Sequence, residues 1–405
     1  MKSKFSIGLQ GLTMIFFILG ALLGSLEIPL IKEIAEVISS IFINLLKLIS
    51  LPMIFLSLIS TVSGMKDIHQ IRTLGGKIVK YTFMTTLMAA CVALICFIII
   101  DPVGTLHHDQ NLFPSNIAGQ QQVQQGNYWD FLLRSLPDNI LDPFLKNNVI
   151  GILFIAILLS AGIISLPEGQ KNTLHAFFQS AFAAILNCAT MIMRLMPIAV
   201  ASFVILFFHD IKSGLNIKNI ALYISCVVLA NIVQALFVLP LLTRWKGISP
   251  IKLFQAMAPA LTVAFFSKSS AASLPTVIQC AEQNAMIPRK ITRLSLPMCS
   301  TINMNACAGF ILITVLFVSS VHGMTFSHWD LISWIFIASI AAIGNAAVPM
   351  GCYFLASSFL ASQNIPLNIM GVILPVYSLL DMLETAINVW SDSCVTAIVA
   401  KETEC

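Results

Sequence analysis

Long apolar segments recur along this chain of 405 residues, and they restrict its fold more than any other feature. Hydrophobic residues make up 58% of the chain and charged residues only 10%, which is outside the usual range of soluble globular proteins. Segments of about 20 apolar residues are long enough to cross a bilayer as helices. Because backbone groups inside a bilayer must find partners within the protein, such segments form helices. The sequence therefore predicts an all-α, polytopic membrane protein.

The last long apolar segment, residues 367–400, carries five polar residues: Asp381, Glu384, Thr385, Asn388 and Asp392. On a helix, four of them share a sector about 60° wide, and Glu384 lies about 40° to one side. Each charge in a membrane helix costs about 2.5–3.5 kcal/mol, so such residues normally face a cavity, a partner or an ion. The alternative is a hydrogen-bonded seam between helices. Three carboxylates within one short stretch favour a binding stripe over a seam.

Three apolar segments in the second half of the chain are interrupted at their middle. The interruptions are SKSSAASLP at 267–275, TINMN at 301–305 and GNAAVP at 344–349. Backbone freed by such a break must be covered by protein or face a cavity. We interpret the first and third as re-entrant helical hairpins and the second as a locally unwound helix. A broken segment followed by a polar helix thus occurs twice, as expected of inverted repeats in a secondary transporter.

The distribution of basic residues predicts the orientation in the membrane. Lys66, Arg72, Lys77 and Lys80 follow the second apolar segment, whereas residues 101–130 contain neither lysine nor arginine. Cytoplasmic loops are enriched in basic residues, so the first loop is expected inside and the second outside. We therefore expect both termini in the cytoplasm and a location in the plasma membrane, which is the inner membrane in a Gram-negative bacterium.

The ten cysteines do not indicate a disulfide framework, because most of them lie inside apolar segments. We expect them to be reduced, small hydrophobic residues. No Cys/His cluster has metal-ligand spacing, and no Ser/His/Asp grouping indicates catalysis, so we predict a protein that is not an enzyme. We expect no organic cofactor, no transition metal and no nucleic-acid partner.

Four motifs resemble those of the dicarboxylate/amino acid:cation symporters, the glutamate-transporter family. SKSSAASLP (267–275) resembles the serine-rich tip of the first hairpin, and AIGNAAVP (342–349) resembles the second tip. TINMNAC (301–307) resembles the NMDGT motif, and LLDMLETAINVWSD (379–392) resembles the final helix, normally D-x-x-R-T-x-x-N-x-x-x-D. The four occur in the family's order and at its spacing.

The resemblance implies eight transmembrane helices plus two re-entrant hairpins, arranged as inverted repeats in an elevator-type homotrimer. Residues 1–76 would hold the first two scaffold helices, and 131–218 the fourth and fifth. Residues 77–100 would form the third helix, in the mobile transport unit, and 101–130 an extracytoplasmic loop. Residues 219–405 would supply the sixth helix, both hairpins and the last two helices of that unit.

The resemblance also implies two sets of binding residues. Asp381 matches the carboxylate that holds the amino group of a substrate, and the full substrate set is Ser269, Ser270, Cys307, Val348, Asp381, Glu384, Thr385 and Asn388. A carboxylate suits this role because an ammonium group in a dry site needs an anion. Sodium sites would use the oxygens of Thr85, Thr86, Thr301, Asn303, Asn305, Asn388 and Asp392. Na⁺ would be the coupling ion, with H⁺ as an alternative.

Two departures from the family pattern bear on the function. The acidic residue of the NMDGT motif is replaced by Asn305, which removes the carboxylate of one sodium site. Glu384 stands where the family has the arginine that holds an acidic substrate side chain. Glu384 could pair with Lys268 and leave a neutral pocket, or it could bind a cationic substrate side chain.

We therefore expect a cation-coupled symporter of amino acids or related small organic solutes, neutral or basic rather than acidic. The first alternative is a dicarboxylate, glutamate or aspartate symporter with Lys268 as the anion partner. The second, from a different class, is a solute-independent ion channel.

Overall fold

The computed structural model describes residues 9–26, 28–64, 74–104, 137–145, 149–212, 217–345 and 350–404. The regular structure of these residues is helical, and the described part contains no β-strand. In the first half of the chain the helices are α1 Leu9–Ser25, α2 Pro29–Ser63, α3 Gly76–Ile100, α4 Asp142–Leu145, α5 Val149–Ile164, α6 Glu168–Met193 and α7 Met196–Lys212. This agrees with the all-α prediction.

The second half of the chain begins with α8, Ile217–Val233, which continues through a π-helical segment, Gln234–Val238, into α9, Leu239–Trp245. The remaining helices are α10 Pro250–Ser267, α11 Ser270–Gln283, α12 Arg289–Ile302, α13 Asn305–Val321, α14 His328–Gly344, α15 Gly351–Ser362 and α16 Asn368–Glu404.

Six helical stretches within the described residues are long and apolar enough to cross a bilayer. They are Gly76–Ile100, Glu168–Ile192, Lys218–Trp245, Pro250–Ser267, Arg289–Val321 and Asn368–Thr403. Shorter apolar helices, such as Gly151–Ile164 and His328–Gly344, lie between them. The chain is therefore a multi-pass membrane protein, while the predicted number of eight spanning helices stays a prediction.

Helix α13 lies at the centre of the molecule. It is apolar on all faces, and almost every residue from Asn305 to Ser320 is buried. It packs against α3, α8, α14, α15 and α16; its Phe317 stacks on Tyr223, and its Phe310 contacts Tyr377 with the rings tilted by 46°. A helix that is hydrophobic all round belongs in a core. The polar residues at its N-terminal end are thereby carried into the interior.

The helices at the periphery keep apolar side chains exposed. Helix α1 packs against α7, and α2 packs against α5, α6 and α7. Leu22, Leu48 and Phe177, on α1, α2 and α6, are each more than half exposed. Exposed apolar side chains on long helices are what contact with lipid or with another subunit requires.

The predicted first hairpin is confirmed. Helix α10 ends at Lys268, which adopts a left-handed conformation (φ 53°, ψ 29°) and donates its N–H to the carbonyl of Ala264 over 3.0 Å. Ser269 is extended, and its hydroxyl oxygen accepts a hydrogen bond from the Ala272 N–H over 3.2 Å as the N-cap of α11. A left-handed C-cap followed at once by a serine N-cap reverses the chain in two residues.

The break predicted at 301–305 is also confirmed. Helix α12 ends at Ile302, α13 begins at Asn305, and the intervening Asn303 and Met304 have non-helical dihedral angles (φ −98° and −103°). The arms of the second hairpin are α14 and α15, which both pack against α13. The predicted tip of that hairpin lies largely in residues 346–349, outside the described residues.

One boundary expected from the sequence differs from the structure, and one predicted interruption is confirmed. The apolar segment 40–63, which the sequence predicts as the second span, belongs to a longer helix that begins at Pro29, because proline is favoured in a first turn and the exposed Lys32 and Glu36 tolerate a helix there. The apolar stretch 173–208 is too long for one perpendicular span, and its sequence predicts an interruption at Arg194 and Pro197; the structure has two helices there, α6 and α7, separated at Arg194 and Leu195. Pro197 is the second residue of α7, where its missing N–H removes no intrahelical hydrogen bond.

Candidate functional site

The candidate site is built around the break between α12 and α13. Asn303 and Asn305 flank this break, and both are completely buried. Asn303 donates through Nδ2 to Asp392 Oδ1 and to Ser391 Oγ, over 2.9 Å in each case. Asn305 donates through Nδ2 to the same Ser391 Oγ over 2.6 Å. The two amides thus connect the break to one turn of α16.

Helix α3 approaches the break from the other side. Thr85 Oγ1 donates to Asn303 Oδ1 over 3.2 Å, and Thr86 Oγ1 donates to Asn305 Oδ1 over 2.8 Å. Both hydroxyls also lie within hydrogen-bonding distance of the Thr82 carbonyl. Hydroxyl, amide and carboxylate oxygens from three helices therefore converge at the break. We name this group, made of Thr85, Thr86, Asn303, Asn305, Ser391 and Asp392, the oxygen cluster.

The polar stripe on α16 is buried along its whole length. Asp381, Glu384, Thr385, Asn388 and Asp392 are all at most 7% exposed. Asn388 Oδ1 accepts a hydrogen bond from the Ala306 N–H over 3.0 Å. This N–H lies in the first turn of α13, where backbone donors have no intrahelical partner, so Asn388 caps α13. The Asn388 amide nitrogen faces the sulfurs of Met304 and Cys307 at 3.5 Å.

The tip of the first hairpin contacts the start of the stripe. Lys268 Nζ donates to Ser378 Oγ over 2.6 Å and interacts electrostatically with Asp381, one turn further along α16. Ser270 is buried at the same tip, whereas the Ser269 hydroxyl is used as the N-cap of α11. The structure thus places Lys268 beside Asp381, not in a pair with Glu384.

Glu384 is almost completely buried, at 1% exposure. The Tyr377 hydroxyl donates to its Oε2 over 3.3 Å, and Asp381 lies close enough to repel it electrostatically. Its other oxygen, Oε1, has no hydrogen-bond partner among the described residues. A buried carboxyl group in this position is either protonated or paired with a cation or donor from outside the described residues, because an unpaired charge in the interior is strongly unfavourable.

The expectation that the cysteines are reduced is wrong for two of them, whereas the other seven cysteines among the described residues are free. Cys307, the third residue of α13, forms a disulfide with Cys352, the second residue of α15. Asn345 Nδ2 lies 3.3 Å from the sulfur of Cys307 and 3.4 Å from that of Cys352. The two cysteines are 45 residues apart, so sequence spacing gave no indication of this contact. Their sulfurs and a Glu384 oxygen also form a group that could hold a metal ion, which the sequence did not predict either.

The remaining predicted residues are placed as follows. The Thr385 hydroxyl donates to the Asp381 carbonyl of its own helix over 2.7 Å. The half-buried Thr301 hydroxyl donates to the Met298 carbonyl of its own helix over 2.8 Å, and within the described residues it makes no hydrogen bond to the oxygen cluster. Val348 lies outside the described residues.

Sequence reasoning missed Ser391, Tyr377 and Asn345. Ser391 precedes Asp392 but lies about 80° from the stripe on a helical wheel, so it fell outside the pattern. Tyr377 lies seven residues before Glu384, two turns along the same face, and this spacing could have identified it. Asn345 was present in the second-tip motif but had no role assigned.

Residues 9–402 match the family described as the sodium:dicarboxylate symporter family. The chain is 25% identical, over 99% of its length and 90% of the other chain, to the C4-dicarboxylate transport protein of Bordetella avium. It is also 25% identical to the proton/sodium-glutamate symport protein of Geobacillus stearothermophilus, covering 98% and 94% of the two chains. The proton/glutamate-aspartate symporter of Escherichia coli K12 gives 25% identity over 98% and 93%.

Proposed function

The chain belongs to the sodium:dicarboxylate symporter family and is therefore a membrane transporter rather than an enzyme. We propose that it is a Na⁺-coupled symporter of amino acids or related small organic solutes, and that it prefers neutral or basic solutes to acidic ones. The substrate is expected between the first hairpin tip and the stripe on α16, and the cation is expected in the oxygen cluster.

The oxygen cluster supports cation coupling. Na⁺ is a hard cation and is bound by oxygen ligands, often at a break in a helix. Asp392 supplies a negative charge, and Asn303, Asn305, Thr85 and Thr86 supply neutral oxygens. Because Asn305 replaces an aspartate, the cluster carries one carboxylate fewer than the family pattern. The proposed coupling therefore involves fewer or weaker sodium sites than in relatives with the aspartate.

The Glu384 oxygen without a partner carries the proposal on substrate class. Lys268 lies beside Asp381, so within the described residues Glu384 has no cationic side chain as its own partner. An acidic side chain beside Glu384 at about 4 Å and an effective dielectric constant near 20 would be repelled by about 4 kcal/mol, roughly a thousandfold in affinity. A cationic or hydrogen-bond-donating side chain would instead satisfy Oε1.

An acidic solute is the second candidate. It is favoured by the names of the relatives, which include glutamate, aspartate and C4-dicarboxylates. It is also favoured by Lys268, whose ammonium group lies at the hairpin tip beside the stripe. In this case Lys268 would bind the anion, and Glu384 would be protonated so that it no longer repels it.

We also propose a division into a scaffold, residues 1–76 and 131–218, and a transport unit, residues 77–100 and 219–405. Its support is the packing of α1, α2, α5, α6 and α7 with one another, and of α3 with α8, α13 and α14. The scaffold would assemble three chains, and the transport unit would move through the membrane with its substrate.

Competition for uptake into proteoliposomes tests the substrate class. Unlabelled arginine, serine, aspartate and succinate would be compared at neutral pH, with Na⁺ outside. We expect arginine or serine to compete at least tenfold better than aspartate or succinate. Glu384→Gln should weaken a basic competitor strongly and a neutral one mildly, and Glu384→Arg should shift preference toward aspartate.

The matched control is Glu282→Gln, which removes a carboxylate that pairs with Arg289 and Arg293 at the far end of the first hairpin. It should leave the order of competitors unchanged. If aspartate or succinate competes best in the wild-type chain and loses this advantage in Lys268→Met, the acidic candidate replaces our proposal.

A further inference from the structure

Two sulfurs and a carboxylate oxygen converge beside the stripe. Cys307 Sγ on α13, Cys352 Sγ on α15 and a Glu384 carboxylate oxygen on α16 all lie within 4.8 Å of one another. All three residues are buried. Three helices that are distant in sequence therefore aim ligand atoms at one small volume. We name this group, together with the adjacent Asn345, the sulfur cluster.

Two oxygens of the sulfur cluster lack a hydrogen-bond partner among the described residues. They are Glu384 Oε1 and Asn345 Oδ1, and the two residues are only 1% and 5% exposed. A disulfide has no proton to donate, so it cannot satisfy either oxygen, and a buried acceptor without a partner is unfavourable. Within the described residues, both oxygens are therefore available as ligands to a cation.

Asn345 can supply an oxygen to the same point. Its Nδ2 lies 3.3 and 3.4 Å from the two sulfurs, and the oxygen and nitrogen of an amide exchange positions by a flip of the side chain. After this flip Oδ1 would face the sulfurs. Two sulfurs, one carboxylate oxygen and one amide oxygen would then surround a single position. A tetrahedral metal site requires four ligands, and these groups supply four.

We propose that the reduced sulfur cluster binds one thiophilic divalent metal ion, of the class of Zn²⁺ and Cd²⁺. Each thiol loses its proton to solvent and forms one metal–sulfur bond, and Glu384 and Asn345 complete the coordination with oxygen. Thiolates select such ions over Mg²⁺ and Ca²⁺, which prefer oxygen alone. The disulfide and the metal site exclude each other, because sulfurs bonded to one another are not thiolates. Reduction by two electrons and two protons converts the first state into the free dithiol.

This site goes beyond the proposed transport function and does not depend on it. It has no residue in common with the oxygen cluster, which contains no sulfur ligand, and it shares only Cys307 and Glu384 with the expected substrate site. A bound metal would hold α13, α15 and α16 together and would occupy Glu384. We therefore expect it to inhibit uptake, but the binding itself is measurable without any transport.

Titration of the purified full-length chain in detergent with Cd²⁺ tests the proposal. The protein is first reduced with a phosphine, which is then removed, and Na⁺ and substrate are left out. Binding is followed by the ultraviolet charge-transfer absorption of thiolate–Cd²⁺ bonds and by the metal content after desalting. We expect one ion per chain, displaced by Zn²⁺ but not by Mg²⁺. Oxidation with a small aromatic disulfide should abolish binding, and a second reduction should restore it.

Variants locate the site. Cys307→Ser and Cys352→Ser should each weaken Cd²⁺ binding at least a hundredfold, and Glu384→Gln should weaken it about tenfold. Cys226→Ser, which changes a buried free cysteine of α8 outside the cluster, should bind as the wild type does. If Cys307→Ser does not assemble, Cd²⁺ binding by Cys352→Ser tests the site instead. Alkylation of the thiols of the reduced wild-type chain should likewise abolish Cd²⁺ binding.

Absence of charge-transfer absorption in the reduced wild-type chain would overturn the proposal. So would undiminished binding in Cys352→Ser. Because no transport is measured, a failure of the proposed symport activity would leave this result unaffected, and the reverse also holds.

Discussion

Asp392 places a negative charge at the edge of the helix break, and the Asn303 amide holds it there. At the residue scale this carboxylate is the strongest Na⁺ ligand that the oxygen cluster offers. Its replacement by asparagine keeps an oxygen that can accept the hydrogen bond from Asn303 Nδ2 but removes the charge. The change therefore affects the cation more than the fold.

We predict that Asp392→Asn raises the half-saturating Na⁺ concentration for uptake about ten- to a hundredfold. An interaction with a charged group contributes about 1.5–3 kcal/mol, and each 1.4 kcal/mol is a factor of ten. Na⁺ dependence of uptake measures the change. Ser393→Ala is the control, because that hydroxyl bonds only to the Val389 carbonyl of its own helix in the described structure. An unchanged Na⁺ dependence in Asp392→Asn would remove Asp392 from the cation site.

Asp381 has two possible partners, the substrate ammonium group and Lys268. We predict that Asp381→Asn abolishes uptake of any amino acid, because the ammonium group loses its anion in a site shielded from water. The chain should still assemble, as judged by size-exclusion chromatography in detergent. Normal uptake by a well-assembled Asp381→Asn variant would contradict the assignment.

The structural alternative for Asp381 makes a different prediction. If its role is only to neutralise Lys268, then Asp381→Asn should be unstable, and the double variant with Lys268→Met should recover both stability and uptake. Under our assignment both the single and the double variant assemble, and neither takes up amino acids.

At the scale of elements, the end of α16 is tied to its neighbours by a cluster of charged residues. Glu402 accepts hydrogen bonds from the Tyr81 hydroxyl of α3 and from Lys246 Nζ, the latter over 2.5 Å. Lys77 Nζ donates to the Glu402 carbonyl over 2.8 Å, and Lys401 Nζ donates to the Gly247 carbonyl over 2.8 Å. These contacts fasten α3, α9 and α16 together at the end of the bundle predicted to face the cytoplasm.

We predict that Glu402→Gln lowers the melting temperature by about 1–2 °C at neutral pH, because a partly exposed ion pair contributes at most about 1 kcal/mol. Hydrogen bonds that Lys246 donates to Glu402 and to Tyr81 raise its pKa above the ordinary value. The stabilisation is thus complete below the unfolded pKa of about 10.4 and is lost as the pH rises through the higher folded pKa. Thermal unfolding at pH 7 and at about pH 11 measures this.

The control for Glu402→Gln is Glu36→Gln, which removes an exposed pair with Lys32 within α2. It should change the melting temperature by less than the error of the measurement. A difference between Glu402→Gln and the wild type that grows at high pH would contradict the role of this ion pair.

The elements were largely predictable from the sequence, and the contacts between them were not. Apolar length and helix-breaking residues located the hairpin tip at Lys268 and the break at Asn303, because these depend on local chemistry. The stripe on α16 followed from helical periodicity. The disulfide between Cys307 and Cys352 and the bonds of Ser391 did not follow, since they depend on how helices distant in sequence are packed. The partner of Lys268 was left open by the sequence for the same reason.

At the scale of the whole molecule, two sets of helices meet around a buried polar interior. The peripheral set, α1, α2 and α5 to α7, keeps apolar faces exposed, whereas α13 is enclosed by the other helices and α16 buries its polar stripe. Two cavities of about 450 and 340 Å³ lie away from the stripe, one against Asn364 and Asn368, the other between α10 and the outer face of α16. A buried binding site with peripheral apolar helices is the arrangement that the proposed mobile transport unit requires.

Concentrative uptake tests the central claim, Na⁺-coupled symport, most directly. Purified protein would be reconstituted into liposomes that contain labelled substrate at the same concentration inside and outside, and an inward Na⁺ gradient would then be imposed. Our account predicts accumulation of the substrate above its external concentration, with no accumulation when choline replaces Na⁺ and reduced accumulation in Asp392→Asn. Equal accumulation in choline, or a Na⁺ current of the same size with and without substrate, would contradict it.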